Sequence, residues 1–169
     1  MNYRTRNQAQ SEYEEKIVQI NRVSKKTKGG NKVGFSALAV VGDKKGKVGV
    51  GLGKAPDVSA AIRKGISKAK KHFIVVPLIK GTIPFRIDIK VGAAKIMLKP
   101  APPGSGIIAG GAVRSVVAAA GIQNISSKVL GTANPASNVH ATLEALKRLS
   151  DLAQRNKERI GRKSKDLKI

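Results

Sequence analysis

Six consecutive residues, Gly104-Ser105-Gly106-Ile107-Ile108-Ala109, match the form G-x-G-x-x-G/A that cradles a dinucleotide pyrophosphate. That chemistry needs a strand leading straight into the glycines, and a carboxylate about 20 positions later to hold a ribose hydroxyl. Here Pro102 and Pro103 lead in, and no Asp or Glu stands between Asp88 and Glu144. The reading that survives is a glycine-lined loop whose bare backbone lets another surface approach. Gly53-Lys54 invites comparison with a phosphate-binding loop. Val48, however, stands where that loop needs its first glycine, and Ala55 where it needs a magnesium-holding hydroxyl. Lys54 then reads as a phosphate contact at a strand end. His72 and His140 are far apart in sequence, and Ser36, Ser115 and Ser137 have no motif around them. No set of nucleophile, base and oxyanion donor can be assembled, so neither an enzyme nor a cofactor is expected. The absence of cysteine removes disulfides and thiolate metal sites together.

What the side chains do offer is positive charge. Lys and Arg number 33 against 10 Asp and Glu, a formal charge of +23 over 169 residues. A folded surface carrying that excess repels itself, and the partner that offsets it is a polyanion, which points to nucleic acid. A basic membrane-surface protein fits less well, because no helix pairs a basic face with Trp or Phe anchors. No apolar run approaches the roughly 18 residues of a membrane span, and no signal-peptide core follows Met1, so a cytoplasmic protein is expected. Aromatic residues are limited to Phe35, Phe73, Phe85, Tyr3 and Tyr13. That scarcity argues against stacking bases on aromatic platforms and favours reading of backbone and shape.

The elements that must position these charges follow from periodicity. Residues 1–13 are polar and read as a mobile arm. Strands are expected at residues 15–23 and 33–41, and at Lys47 to Gly53, where glycine alternates with Val and Leu and one face can accept a close neighbour. Gly42 to Gly46 is the hairpin turn between the last two. Val58, Ala61, Ile62, Gly65, Ile66, Ala69 and Phe73 then fall at helical spacing and define an apolar stripe. A second unit starts near Ile74. It has strands at Phe85 to Lys90 and Lys95 to Lys99, a loop of breakers at residues 100–106, a helix at Gly111 to Ala120 ended by Gly121, and a strand at Ile125 to Leu130. Asn134-Pro135 is a helix start whose buried stripe is Val139, Leu143, Leu146, Leu149 and Ala153. Residues 154–169 read as a basic tail, expected with the arm to order only on assembly.

The charges gather in three places. Arg22, Lys25, Lys26, Lys28 and Lys32 form a run without an acid around Gly29-Gly30, read as a flexible loop that follows a phosphate backbone, with a merely solvated loop as the competing reading. Arg63, Lys64, Lys68, Lys70 and Lys71 lie on the first helix, and with the strand-borne Lys47 and Lys54 make one side positive. The acid-free stretch from Asp88 to Glu144 holds Lys90, Lys95, Lys99, Arg114 and Lys128.

Four segments together carry a resemblance: KKTKGGNKVGFSALAVVGD at residues 25–43, KVGVGLGKA at 47–55, GSGIIAGG at 104–111 and GTANPASN at 131–138. In order and spacing they resemble the bacterial small-subunit ribosomal protein five family, over roughly residues 14–152. The resemblance implies an α+β protein. A double-stranded-RNA-binding-like domain, a three-stranded antiparallel sheet plus helix, spans residues 14–77. A small α/β two-layer sandwich with a left-handed βαβ crossover spans residues 78–153.

The resemblance further implies contact with small-subunit ribosomal RNA and with small-subunit proteins four and eight, near the place where messenger RNA enters, with an influence on decoding accuracy. It places Lys25 to Lys32 in a long loop reaching toward the head of the subunit. Gly104, Gly106, Gly110 and Gly111 fall in the region facing protein four, and Asn134 joins the residues expected at protein contacts. Asn31 stands where the family often has Arg, with Lys32 beside it as a substitute contact. The turn Asp43-Lys44-Lys45-Gly46 departs from a common Asp-Gly-x-Gly. The expectation is a non-enzymatic ribosomal component, present without a second copy of itself. A free double-stranded RNA-binding or nucleoid protein is the nearer rival, and a dehydrogenase using the Gly104 loop the distant one.

Overall fold

The computed structural model describes residues 13–166. The arm expected over residues 1–13 therefore lies, except for Tyr13, outside the described residues. The first module begins with β1 (Glu14–Thr27), β2 (Gly30–Gly42) and β3 (Lys47–Ala55), followed by α1 (Val58–Lys71). The sheet has one strand more than expected. After α1 the chain returns as β4 (Phe73–Val75) and pairs antiparallel with β3, giving the order β1-β2-β3-β4.

The alternation in β3 decides how α1 sits. Val48 and Val50 point into the core on one face, while Gly49, Gly51 and Gly53 line the other. A Cβ placed on Gly51 would collide with the Gly65 carbonyl oxygen, and one on Gly53 with that of Ala61. The helix backbone thus lies almost on the strand, and only Ala61, Gly65 and Ala69 fit beneath it. The broader stripe expected from periodicity is correspondingly narrowed: Ile62 and Ile66 flank the contact and stay half-buried.

The second module contains β5 (Ile87–Val91), β6 (Ala94–Pro100), β7 (Ile107–Ile108), α2 (Gly111–Ala120), β8 (Ile125–Val129) and α3 (Pro135–Asp166). Its sheet order is β5-β6-β8-β7, antiparallel except for the parallel pair β7 and β8, which α2 connects. Ile87, Ile89, Ile96, Leu98 and Ile125 share a buried core with Val113, Val116 and Val117 of α2 and with Val139, Leu146 and Leu149 of α3. The helix boundaries follow their caps. Asn134 Oδ1 accepts the Ala136 amide at 3.1 Å, with Pro135 opening the helix. Gly121 closes α2 at φ 83°. Where a tail was expected, α3 runs on to Asp166, since no proline follows Pro135 and Lys, Arg and Glu propagate a helix well.

The two sheets meet at the turn between β2 and β3. Lys44 N–H donates to Ala119 O at 3.1 Å, and Gly46 N–H donates to Ala120 O at 2.9 Å, so this turn caps the C-terminal end of α2. Asp43 holds the turn in shape, its Oδ1 accepting the amides of Lys45 at 2.7 Å and Lys47 at 2.9 Å. Partial desolvation pushes the Asp43 pKa up, but those two hydrogen bonds and the nearby Lys47 charge together outweigh it, leaving the carboxyl below its usual 3.8. Leu38, Val40, Val48 and Val50 of the first sheet belong to the same apolar cluster as Val116, Val117 and Leu146, so the modules share one core.

Two outcomes test this packing. Gly51→Ala is expected to cost more than about 3 kcal/mol, because backbone on both sides has nowhere to move. Ile62→Ala, half-buried, is expected to cost only about 1 kcal/mol, below the 2–5 kcal/mol of a fully buried site. Urea midpoints of the two variants rank them. Asp43 has a depressed folded pKa, so its contribution is present above the unfolded value and is lost as pH falls through the folded one. Asp43→Asn is therefore expected to lower the melting temperature at neutral pH and to converge with wild type once acid has protonated Asp43.

Candidate nucleic-acid interface

The run read as a flexible loop is the tip of a long β-ribbon. β2 pairs with β3 only as far as Phe35 opposite Ala55, yet β1 and β2 continue together through Val23 and Gly34, Lys25 and Lys32, to Thr27 and Gly30. Five residues of β1, from Val23 to Thr27, thus project about 17 Å beyond the sheet at roughly 3.4 Å each. Lys28-Gly29 makes the turn. Thr27 Oγ1 donates to Gly30 O at 2.8 Å, and Gly30 takes φ 117°, a conformation glycine enters freely. The charges masked the alternation that the register reveals.

Pairing fixes which charges share a face. Lys25 and Lys32 sit directly opposite each other, and Lys26 opposite Asn31 projects from the other side. At the ribbon's base Lys54 joins Lys25 and Lys32 around an open groove of about 510 Å³ walled by Val23, Val33, Phe35 and Pro56. Like charges directly opposite on a two-stranded ribbon weaken it. Four ion pairs occur among the described residues, Lys44–Glu14, Lys70–Glu15, Arg86–Asp88 and Arg148–Glu144, and none involves a ribbon cation. These ammonium groups therefore have no acidic partner among the described residues.

The other expected residues distribute more widely. Arg63, Lys64, Lys68 and Lys71 are exposed along α1, the last three at i, i+4 and i+7 on one stripe. Lys47 lies at the far end of β3 from Lys54, beside Asp43. Arg114 spends one guanidinium nitrogen on the Ile107 carbonyl at 2.8 Å. Lys128 is exposed on the second sheet. The structure therefore gathers Arg22, Lys25, Lys26, Lys28, Gly29, Gly30, Asn31, Lys32 and Lys54, and leaves the rest on separate surfaces.

The glycine loop resolves as scaffolding. The amides of Gly104 and Gly106 both donate to Oδ1 of Asn124, at 3.0 and 3.1 Å, so neither is free to hold a pyrophosphate. The glycines also precede β7 instead of joining a strand to a helix. Asn124, which is buried, is the residue that sequence reasoning missed, and its place just before β8 was the only signal for it. Gly106 O accepts the Ile125 amide at the start of β8, whereas Gly110 lies against Val129 at its end, and Asn134 follows beyond. The residues expected at protein contacts thus lie at opposite ends of that strand. His72 and His140 are both exposed, and no cluster of three potential metal ligands occurs among the described residues.

These features define a small, basic α+β protein whose exposed groups are arranged to bind. Its residues 13–77 match the N-terminal domain model of ribosomal protein S5, and residues 89–159 match the C-terminal domain model. Similar chains include a protein named small ribosomal subunit protein uS5 from Thermotoga neapolitana, 55% identical over 83% of this chain and 79% of the relative. Proteins of the same name from a Picosynechococcus species and from Chloroflexus aurantiacus are 50% identical over 89% of this chain and 87% of the relative, and 53% identical over 83% and 79%. The chain belongs to the ribosomal protein S5 family.

Lys26→Glu combined with Lys28→Glu is expected to leave the melting curve within about 0.5 kcal/mol of wild type, since both side chains are exposed. The same variant is expected to weaken binding to duplex-containing RNA, and to flatten the plot of log affinity against log salt by roughly 1.4–1.8 for two lost phosphate contacts. Thermal melts and filter binding measured over a salt series check both.

Proposed function

We propose that this chain is a structural constituent of the small ribosomal subunit that binds its RNA and works by position, without catalysing a reaction. The observation that carries this reading is the projecting ribbon, whose cations have no acidic partner among the described residues. Ribbon, Lys54 and the α1 stripe hold RNA backbone, with phosphate contacts setting register and shape supplying selectivity. Family membership supports placing the chain in the cytoplasmic ribosome, near where messenger RNA enters and beside small-subunit proteins four and eight. Gly104, Gly106, Gly110 and Gly111 then face protein four, Asn134 supports a protein contact, and displacement of any of these surfaces alters decoding accuracy.

Chemical protection of small-subunit RNA, mapped with and without the protein, tests the reading. Discrete protected segments that persist through a high-salt wash of the subunit are expected. Uniform, sequence-wide protection that is lost at modest salt would instead identify a free duplex-RNA or nucleoid binder.

A further inference from the structure

The second module has two layers, with α2 and α3 covering one face of its sheet and, among the described residues, no element covering the other. Alternation places a defined set of side chains on that open face. Ile96 and Leu98 of β6 point inward, so Lys95, Met97 and Lys99 point outward. Register adds Lys90 opposite Lys95, and Lys128 opposite Met97. All four lysines are exposed. The acid-free stretch of sequence is thus folded so that its lysines converge on one surface.

We infer that this open sheet face is a second RNA-binding surface, separate from the ribbon, in which Lys90, Lys95, Lys99 and Lys128 contact phosphates around Met97. The inference rests on the RNA-binding reading above and adds a site to it. Three observations choose RNA over a protein partner. Lys90 and Lys95 are a directly opposed like-charge pair, which weakens a sheet unless an anion offsets it. The carboxylate on this face, Asp88, is already held by Arg86 at 2.9 Å, so four cations remain without an acid among the described residues. The apolar content is one half-buried Met97, the exposed Ile108 on the edge strand β7 and the exposed Leu130 just past β8, whose amide donates to Lys95 O at 2.8 Å; they are dispersed among the lysines and do not form the desolvated centre of a protein interface. The spacing also fits a backbone ligand. Lys95 and Lys99 stand about 13 Å apart along β6, with Lys128 between them on the neighbouring strand.

The test uses the full chain and purified small-subunit ribosomal RNA, with affinity measured over a salt series. Lys95→Gln, Lys99→Gln and Lys128→Gln together are expected to reduce affinity at least tenfold at low salt. They are also expected to flatten the salt plot by about 2–2.7, at 0.7–0.9 per lost phosphate contact. As an independent readout, acetylation of these three lysines by a soluble reagent is expected to be blocked in the RNA complex and rapid in the free protein. The ribbon variant Lys25→Gln with Lys32→Gln separates the two claims. If it weakens binding while the sheet variant binds and is modified as wild type, the second surface is disproved and the ribbon reading stands. If wild type itself binds no RNA, both readings fall. A sheet variant that keeps full RNA affinity but fails to enter subunits assigns this face to a protein and overturns the inference.

Discussion

The carbonyl groups at the end of α2 are where two sheets become one molecule. A helix leaves its last four carbonyls without internal partners, and most proteins satisfy them with water or a local turn. Here two of them accept amides from the turn between β2 and β3, which belongs to the other module. The contact requires backbone to touch backbone. A Cβ on Gly42 would strike the Ala119 carbonyl, and one on Gly121 the Lys44 carbonyl. Because the turn is also the root of β2, capping the helix fixes the direction in which the ribbon leaves the body. Asp43 matters for the same reason, since it shapes the turn that forms the cap.

Charge and packing divide the molecule between them. The interior is aliphatic and small, with glycine and alanine setting the separation of α1 from its sheet and valine, isoleucine and leucine filling the shared core. The cations stand on positions that alternation or helical periodicity turns outward. This division gives salt two opposite effects. Screening relieves self-repulsion in the free protein, within a Debye length of about 8 Å at physiological ionic strength. The same ions compete for phosphates and weaken association with RNA. A chain with a net charge of +23 therefore gains most from its polyanion under the conditions in which it is least comfortable alone.

Much of this was legible before any coordinates. The glycine face of β3, the cap at Asn134-Pro135 and the stop at Gly121 each follow from a local rule with few competitors. What failed did so for identifiable reasons. Five cations around two glycines look like a loop because lysine hides period-two alternation, and only the partner strand shows that Ser24 to Thr27 and Gly30 to Lys32 extend the two expected strands into a ribbon. Ile62 looked like core because periodicity counts apolar side chains and ignores how closely a glycine strand lets the helix descend. The role of Asn124 depends on a loop 18 to 20 residues away in sequence, beyond any local pattern. Convergence of Lys90, Lys95, Lys99 and Lys128 needed sheet register to appear.

Replacing a loop by a ribbon changes the physics of the function. A flexible lysine-rich loop must be ordered when it meets RNA, at about 1–2 kcal/mol per residue of backbone entropy. In a ribbon that cost falls on folding, and Lys25 and Lys32 already stand roughly 5 Å apart across the strands. More of the phosphate attraction then appears as affinity, and the fixed spacing lets the protein discriminate among backbone geometries. The fused core extends the argument to the whole chain. Ribbon, α1 stripe and second sheet are held in one frame, so the distances between these basic surfaces are set by protein packing. A protein that measures distance in this way needs no reacting group, and the tying of the Gly104 and Gly106 amides to Asn124 shows the one motif that promised chemistry spent on keeping that frame stiff.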